Sequence, residues 1–214
     1  MSTTENLARI ERTEFAQTLL AVGPDAPTLC TGWTTLDLAA HIVLRERRLD
    51  AAPGIAIPFL SNYTESVRLQ IRQTPWPTLV EQINVGPPNW SPLGWSGIDD
   101  YANLFEFFVH HEDVLRANKS GQTRVLSTAL TDKLLSRLHD SAWLLWRRAR
   151  VGVVLTDGTS SIVAKRPPKG AGIVTITGSP AELVMKSYGR SNVAVEISGA
   201  PHDLELLAQT NLSI

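Results

Sequence analysis

The chain has 214 residues, 43% of them hydrophobic and 19% charged, which suits one buried core or two modest ones and excludes a disordered or low-complexity protein. A formal net charge of −1 lacks the basic excess of a nucleic-acid binder, and no apolar run approaches the length of a bilayer span, so neither nucleic acid nor membrane is expected as a partner. The single cysteine, Cys30, excludes an internal disulfide and a cysteine-rich zinc knuckle, so a metal held here needs histidine and carboxylate.

Met1 to Ile10 is polar and reads as a helix start rather than a secretory leader, which points to a cytoplasmic protein. From Thr3 to Val22 the residues Leu7, Ile10, Leu19 and Leu20 recur at near-helical spacing, and Gly23-Pro24 ends the run. In "CTGWTTLDLAAHIVLRERR", Thr34 is an N-cap and Asp37, three residues on, completes a capping box with Asp in place of Glu or Gln. A second helix is therefore expected from about Thr35 to Arg48. Seven prolines from Pro53 to Pro92 then punctuate a long connection that crosses a bundle, with room for short helices near Tyr63 to Arg72 and Thr78 to Ile83. A third long helix follows over Asp99 to Ala117. A fourth spans Thr128 to Arg150, with Leu130, Leu134, Leu138, Ala142 and Leu145 on one stripe.

At Val151 the period changes from helical to alternating. "VGVVL" and "SSIVAK" read as a hairpin turning at Asp157-Gly158, and "GIVTIT" and "NVAVEIS" as further strands. Short helices over Pro180 to Tyr188 and His202 to Ala208 complete a β-β-β-α-β-α order. The fold class is thus α+β: a four-helix bundle over 1–150, then a small α/β domain over 151–214 that is too short to be expected to fold without docking.

The stretch "NLFEFFVHHEDVLRA" carries the chemistry. Glu106 and His110 are four apart and share a helix face, with Cβ atoms roughly 5–6 Å apart, within reach of one cation. Glu106 lies among Leu104, Phe105, Phe107, Phe108 and Val109, where an unpaired carboxylate is expensive to bury. His41, mid-helix between Ala40 and Ile42, is the best third ligand from a second helix, a known way to build a metal site in a bundle core. Two histidines and one carboxylate leave coordination positions open, the catalytic pattern. The alternative is a solvated Glu-His pair on an amphipathic helix.

Together, "GWTTLDLAAHIVLRERR" and "NLFEFFVHHEDVLRA" resemble the metal-binding domain of the mycothiol-dependent maleylpyruvate isomerases, a branch of the DinB-like four-helix bundles. Within that branch they are similar to a compact actinobacterial subfamily of metal-binding proteins of unassigned activity. The likeness runs over nearly the whole chain, because the later strands and "SYGR" resemble the family's small sterol-carrier-like α/β domain. It implies a zinc triad of His41 in the GWT-x2-D-x3-H motif and Glu106 and His110 in the E-x3-H motif. It also implies a low-molecular-weight thiol such as mycothiol as cofactor, and a small electrophile isomerised through a thiol adduct or modified by thiol transfer. A metal-containing protein that binds a ligand or partner without turnover is the alternative.

Several residues around this triad have two readings. Arg45, one turn beyond His41, receives an anionic substrate or belongs with Arg47 and Arg48 to a cationic helix end. Asn103, one turn before Glu106, lines the pocket or hydrogen-bonds within it. Asp113 orients His110 or is an exposed charge. His111 faces a neighbouring helix or solvent. The resemblance implies a catalytic role for Arg190 in "GR", against a plain helix-terminal arginine. Trp33 packs ahead of the second helix, Trp90 and Trp95 anchor the long connection, and Cys30 is a small inert hydrophobe. His139 and His202 are non-ligands.

Overall fold

The computed structural model describes residues 6–91, 98–118 and 124–212. The chain divides into two compact units, Met1–Arg124 and Val125–Ile214.

In the first unit, α1 (Leu7–Val22) starts at Asn6, whose side chain accepts the Arg9 amide, and stops at Gly23. The expected capping box forms at the start of α2 (Thr35–Arg47), where the Thr34 amide donates to Asp37 at 3.1 Å. Two 3-10 turns lead into α3 (Ser61–Ile71), and α4 (Trp76–Val85) and α5 (Ile98–Asn118) follow. The core joins Phe15, Ala16 and Leu19 of α1, Leu38, Ala39, Ile42 and Val43 of α2, Leu79, Val80 and Ile83 of α4, and Phe107 and Val114 of α5. The proline-rich connection thus supplies a core helix, α4. Its apolar stripe repeats at helical spacing, and Pro77 falls in the first turn, where proline is tolerated.

Charge is buried inside this unit as well. Arg12 of α1 makes a two-pronged pair with Glu46 of α2, at 2.6 and 2.9 Å, and donates to the Ile83 carbonyl of α4 at 3.0 Å. Its guanidinium lies 4.2 Å from the centre of the Phe107 ring of α5. One side chain therefore touches all four core helices.

The second unit begins with α6 (Thr128–Leu145). Its expected stripe is buried, and within the unit it packs on β2 and α7. The sequence reading grouped this helix with residues 1–150; by its packing it lies with the strands. An amphipathic stripe specifies that something apolar covers it, and a sheet serves as well as a helix. The helix also ends before Arg150, at Trp146, which is fully buried with its indole N–H donating to Ser187 at 2.9 Å.

Four strands follow the expected order: β1 (Gly152–Thr156), β2 (Ser161–Lys165), β3 (Ile173–Thr177) and β4 (Glu196–Ser198), with α7 (Pro180–Ser187) and α8 (Pro201–Ala208) in place. The sheet order is β2-β1-β3-β4, with β1 and β3 parallel and the other pairs antiparallel. The β1–β2 turn falls at Asp157-Gly158, where Gly158 takes a φ of 90°, a conformation that favours glycine. Val153, Leu155, Ile162, Ala164, Val174 and Ile176 are buried at alternate positions. Among the described residues no helix is long and apolar enough to cross a membrane.

The Arg12–Glu46 pair makes a direct test. Glu46→Ala leaves a buried guanidinium without its carboxylate and should cost about 3–5 kcal/mol in chemical denaturation, whereas Arg12→Met with Glu46→Leu should recover most of the loss. A loss below about 1 kcal/mol for the single variant would show that α1 and α2 do not depend on the pair.

Candidate metal centre

The sequence around α2 accounts for the position of His41. Gly32 turns the chain with a φ of 78°, Thr34 caps the helix, and Asp37 is held from α3 by Arg68 at 2.7 Å and Arg72 at 2.9 Å. Arg68 also stacks over Trp33, 4.9 Å from the ring centre, and Trp33 lies against the His41 imidazole with centres 5.4 Å apart. His41 is one turn beyond Asp37, so the motif's spacing is a chain of contacts: Arg68 braces both the cap and the ring that backs the histidine.

On α5, Phe107, Phe108 and Val109 are buried while Glu106 and His110 lie partly buried beside His41. His41 Nε2 lies 3.2 Å from Glu106 Oε1, and His110 Nε2 lies 3.4 Å from the same oxygen. The two imidazoles meet edge to face with centres 5.5 Å apart. Donor atoms of all three residues lie within 4.8 Å of one another. Ligands at about 2.0–2.2 Å around a tetrahedral zinc are roughly 3.3–3.6 Å apart, so this donor set and spacing fit such an ion with little movement. The three residues expected as ligands are thus brought together.

Arg45 and Asn103 lie beside them. Arg45 Nε is 3.6 Å from Glu106 Oε2, and its Nη1 donates to the Asn103 side chain, which is fully buried. Arg47 instead donates to the Gln82 and Gly86 carbonyls, and Arg48 pairs with Asp50 at the surface.

Electrostatics follow from this packing. Burial by itself raises the Glu106 carboxyl, but the Arg45 charge and hydrogen bonds from His110 and His41 outweigh it and hold the group well below its ordinary 4.5. Burial by itself lowers His110, yet Asp113, Cys30 and Glu106 together hold it well above 6.5. For His41 burial prevails over Glu106 and depresses the group. Without an ion, these directions favour a charged Glu106 and a charged His110 beside a neutral His41.

Two further residues enter this centre, one of them by the first of its two sequence readings. Asp113, open to reading as an exposed charge, is fully buried, and its Oδ2 lies 3.0 Å from His110 Nδ1. Cys30, expected to be an inert hydrophobe, donates its S–H to the same oxygen at 3.3 Å, with its sulfur 4.0 Å from His110 Nδ1. The His110–Asp113 spacing carried a signal, whereas Cys30 is 80 residues from His110 and carried none.

Other expectations sort plainly. His111 faces α1, bonded to Thr18 at 2.8 Å and tilted against Phe15. His139 and His202 are exposed and outside the cluster. Arg190 lies in the second unit after α7, where its guanidinium donates to the Tyr188 carbonyl at 2.7 Å. Trp90 is 58% exposed, so it does not anchor the connection by burial, and Trp95 lies outside the described residues.

No family model and no curated protein matches the sequence. Solved structures do match. A crystal structure of a histidine-to-alanine mutant of the mycothiol-dependent maleylpyruvate isomerase aligns with a TM-score of 0.61 and 18% identity, covering 90% of each chain. The chain shares the fold of that isomerase. A crystal structure described as the mycothiol-dependent maleylpyruvate isomerase, with no mutation named, aligns at a TM-score of 0.54 and 19% identity, again over 90% of each chain. A likeness to the isomerase at this identity is a likeness of fold, and reaction chemistry has to be argued from the side chains themselves.

The ion pair predicts a pH signature for metal-free protein. Above 4.5 Glu106 is ionised in the folded and unfolded chain alike, and above 6.5 His41 is neutral in both, so neither adds a slope there. His110 binds its proton more tightly when folded; its contribution is full below 6.5 and is lost as pH rises through its raised value. Urea denaturation with a chelator present should therefore show wild type losing stability relative to His110→Gln above pH 6.5, by up to about 1.4 kcal/mol per pH unit. Parallel pH profiles for the two proteins would remove the ion pair from the account.

Proposed function

We propose that the chain binds one divalent metal, zinc on the resemblance to the isomerase family, through His41, Glu106 and His110, and uses it in thiol-dependent isomerisation or thiol transfer on a small electrophile. The observation that carries this reading is the convergence of two imidazole nitrogens on one carboxylate oxygen, at 3.2 and 3.4 Å, from helices far apart in sequence. A divalent cation held by two histidines and a carboxylate keeps open positions and lowers the pKa of a coordinating thiol, which supplies a thiolate nucleophile.

The chain's own residues supply binding and charge. Arg45 offers a guanidinium at the centre, suited to an electrophile that carries a carboxylate, and Asn103 holds it there. Arg190 is assigned the catalytic role on the resemblance to the isomerase family. A mycothiol-type thiol fits the solved relatives, which are described as mycothiol-dependent. Such chemistry suits a cytoplasmic protein, with thiol and electrophile as its small-molecule partners.

Metal analysis of protein made without a histidine tag tests the first half: about one zinc per chain is expected, and His41→Ala should lose it, whereas a metal-free wild type would end the reading. Turnover tests the second half. Consumption of maleylpyruvate-like electrophiles should require added thiol, Arg45→Gln should raise KM about tenfold or more with metal content unchanged, and Arg190→Ala should lower kcat. Full zinc occupancy with no thiol-dependent turnover over a broad panel would instead mark a metal-containing binding protein.

A further inference from the structure

Resting on the metal reading above, we infer that Asp113 is a positioning residue for His110 and that Cys30 and the loop around it hold Asp113 in place.

A fully buried carboxylate is costly unless hydrogen-bonded, and Asp113 turns that requirement outward to the centre. Its Oδ2 accepts from His110 Nδ1 at 3.0 Å, which leaves Nε2, the nitrogen 3.4 Å from Glu106, as the one presented to the cluster. A carboxylate on the far nitrogen of an imidazole fixes its tautomer and its ring orientation and strengthens it as a ligand.

The loop preceding α2 acts on both histidines. The Leu29 amide donates to the Asp113 carbonyl at 3.1 Å, and Cys30 donates its S–H to Asp113 Oδ2 at 3.3 Å. Thr28 accepts the Cys30 amide at 3.1 Å and donates to the Trp33 carbonyl at 2.9 Å, and the Trp33 ring backs His41. One short segment therefore braces His110 through Asp113 and His41 through Trp33.

Cys30, His110 and Asp113 also have donor atoms within 4.8 Å of one another, so a second arrangement is chemically open, in which the thiol ligates a cation directly. A cation there would take His110 Nδ1 and break its bond to Asp113. The 3.0 Å contact between them favours the positioning role over ligation.

The test is zinc affinity, measured by chelator competition on the full chain without a tag. Relative to wild type, Asp113→Asn should bind about tenfold more weakly and Asp113→Ala about a hundredfold more weakly, the neutral amide rescuing part of the loss. Cys30→Ser should bind as wild type does, and Cys30→Ala a few-fold more weakly. A measurement on wild type itself guards against variants that fail to fold: zinc-loaded protein should show a slowly exchanging His110 Nδ1 proton by NMR, and its absence would overturn the inference. Asp113 variants that fold and bind zinc within about threefold of wild type would overturn it too, as would a Cys30→Ala protein with no zinc at all, which would make the thiol a ligand. A wild type without zinc fails at an earlier step, refuting the metal reading and this inference with it.

Discussion

The first unit is organised by the cost of burying charge. A guanidinium or carboxylate taken from water into an apolar bundle is tolerated only with an opposite charge or several hydrogen bonds. Arg12 and Glu46 meet that condition across α1 and α2. Arg124 meets it by reaching Glu11, Glu14 and Glu112 while lying 5.4 Å from the Phe108 ring centre. Arg116 joins the same group through Glu112 at 2.7 Å. These pairs tie α1 to α2 and α5 in a way that apolar packing alone would leave free to slide.

The centre obeys the same rule with one difference. Glu106 has Arg45, His41 and His110 around it, so its charge is met, and the histidines bring nitrogens of a type that can also ligate a metal. The same atoms therefore suit a structural ion pair and a metal site alike. What distinguishes them is the outer support: Asp113 and Cys30 behind His110, and Trp33 under Arg68 behind His41. Support of that kind orients a ring more closely than a plain ion pair requires.

The likeness to the maleylpyruvate isomerase extends over 90% of each chain, but at 18–19% identity it concerns backbone more than side chains. Function on a shared fold resides in the particular groups placed on it. Here those groups are a compact His-Glu-His set with an arginine and a buried asparagine at its edge.

Local signals in the sequence determined most of the elements. The capping box at Thr34 and Asp37, the Asp157-Gly158 turn, and the switch to alternating burial after Val151 all depend on neighbours within a few residues. The Glu106–His110 pair was legible for the same reason, because four residues make about one helical turn. Tertiary structure decided what local spacing leaves open. It made α4 a core helix, set α6 with the strands, and paired Arg12 with Glu46. It also brought Cys30 and Asp113 together from 83 residues apart. An apolar stripe or a buried charge states a need for a partner, and only the folded chain names which one meets it.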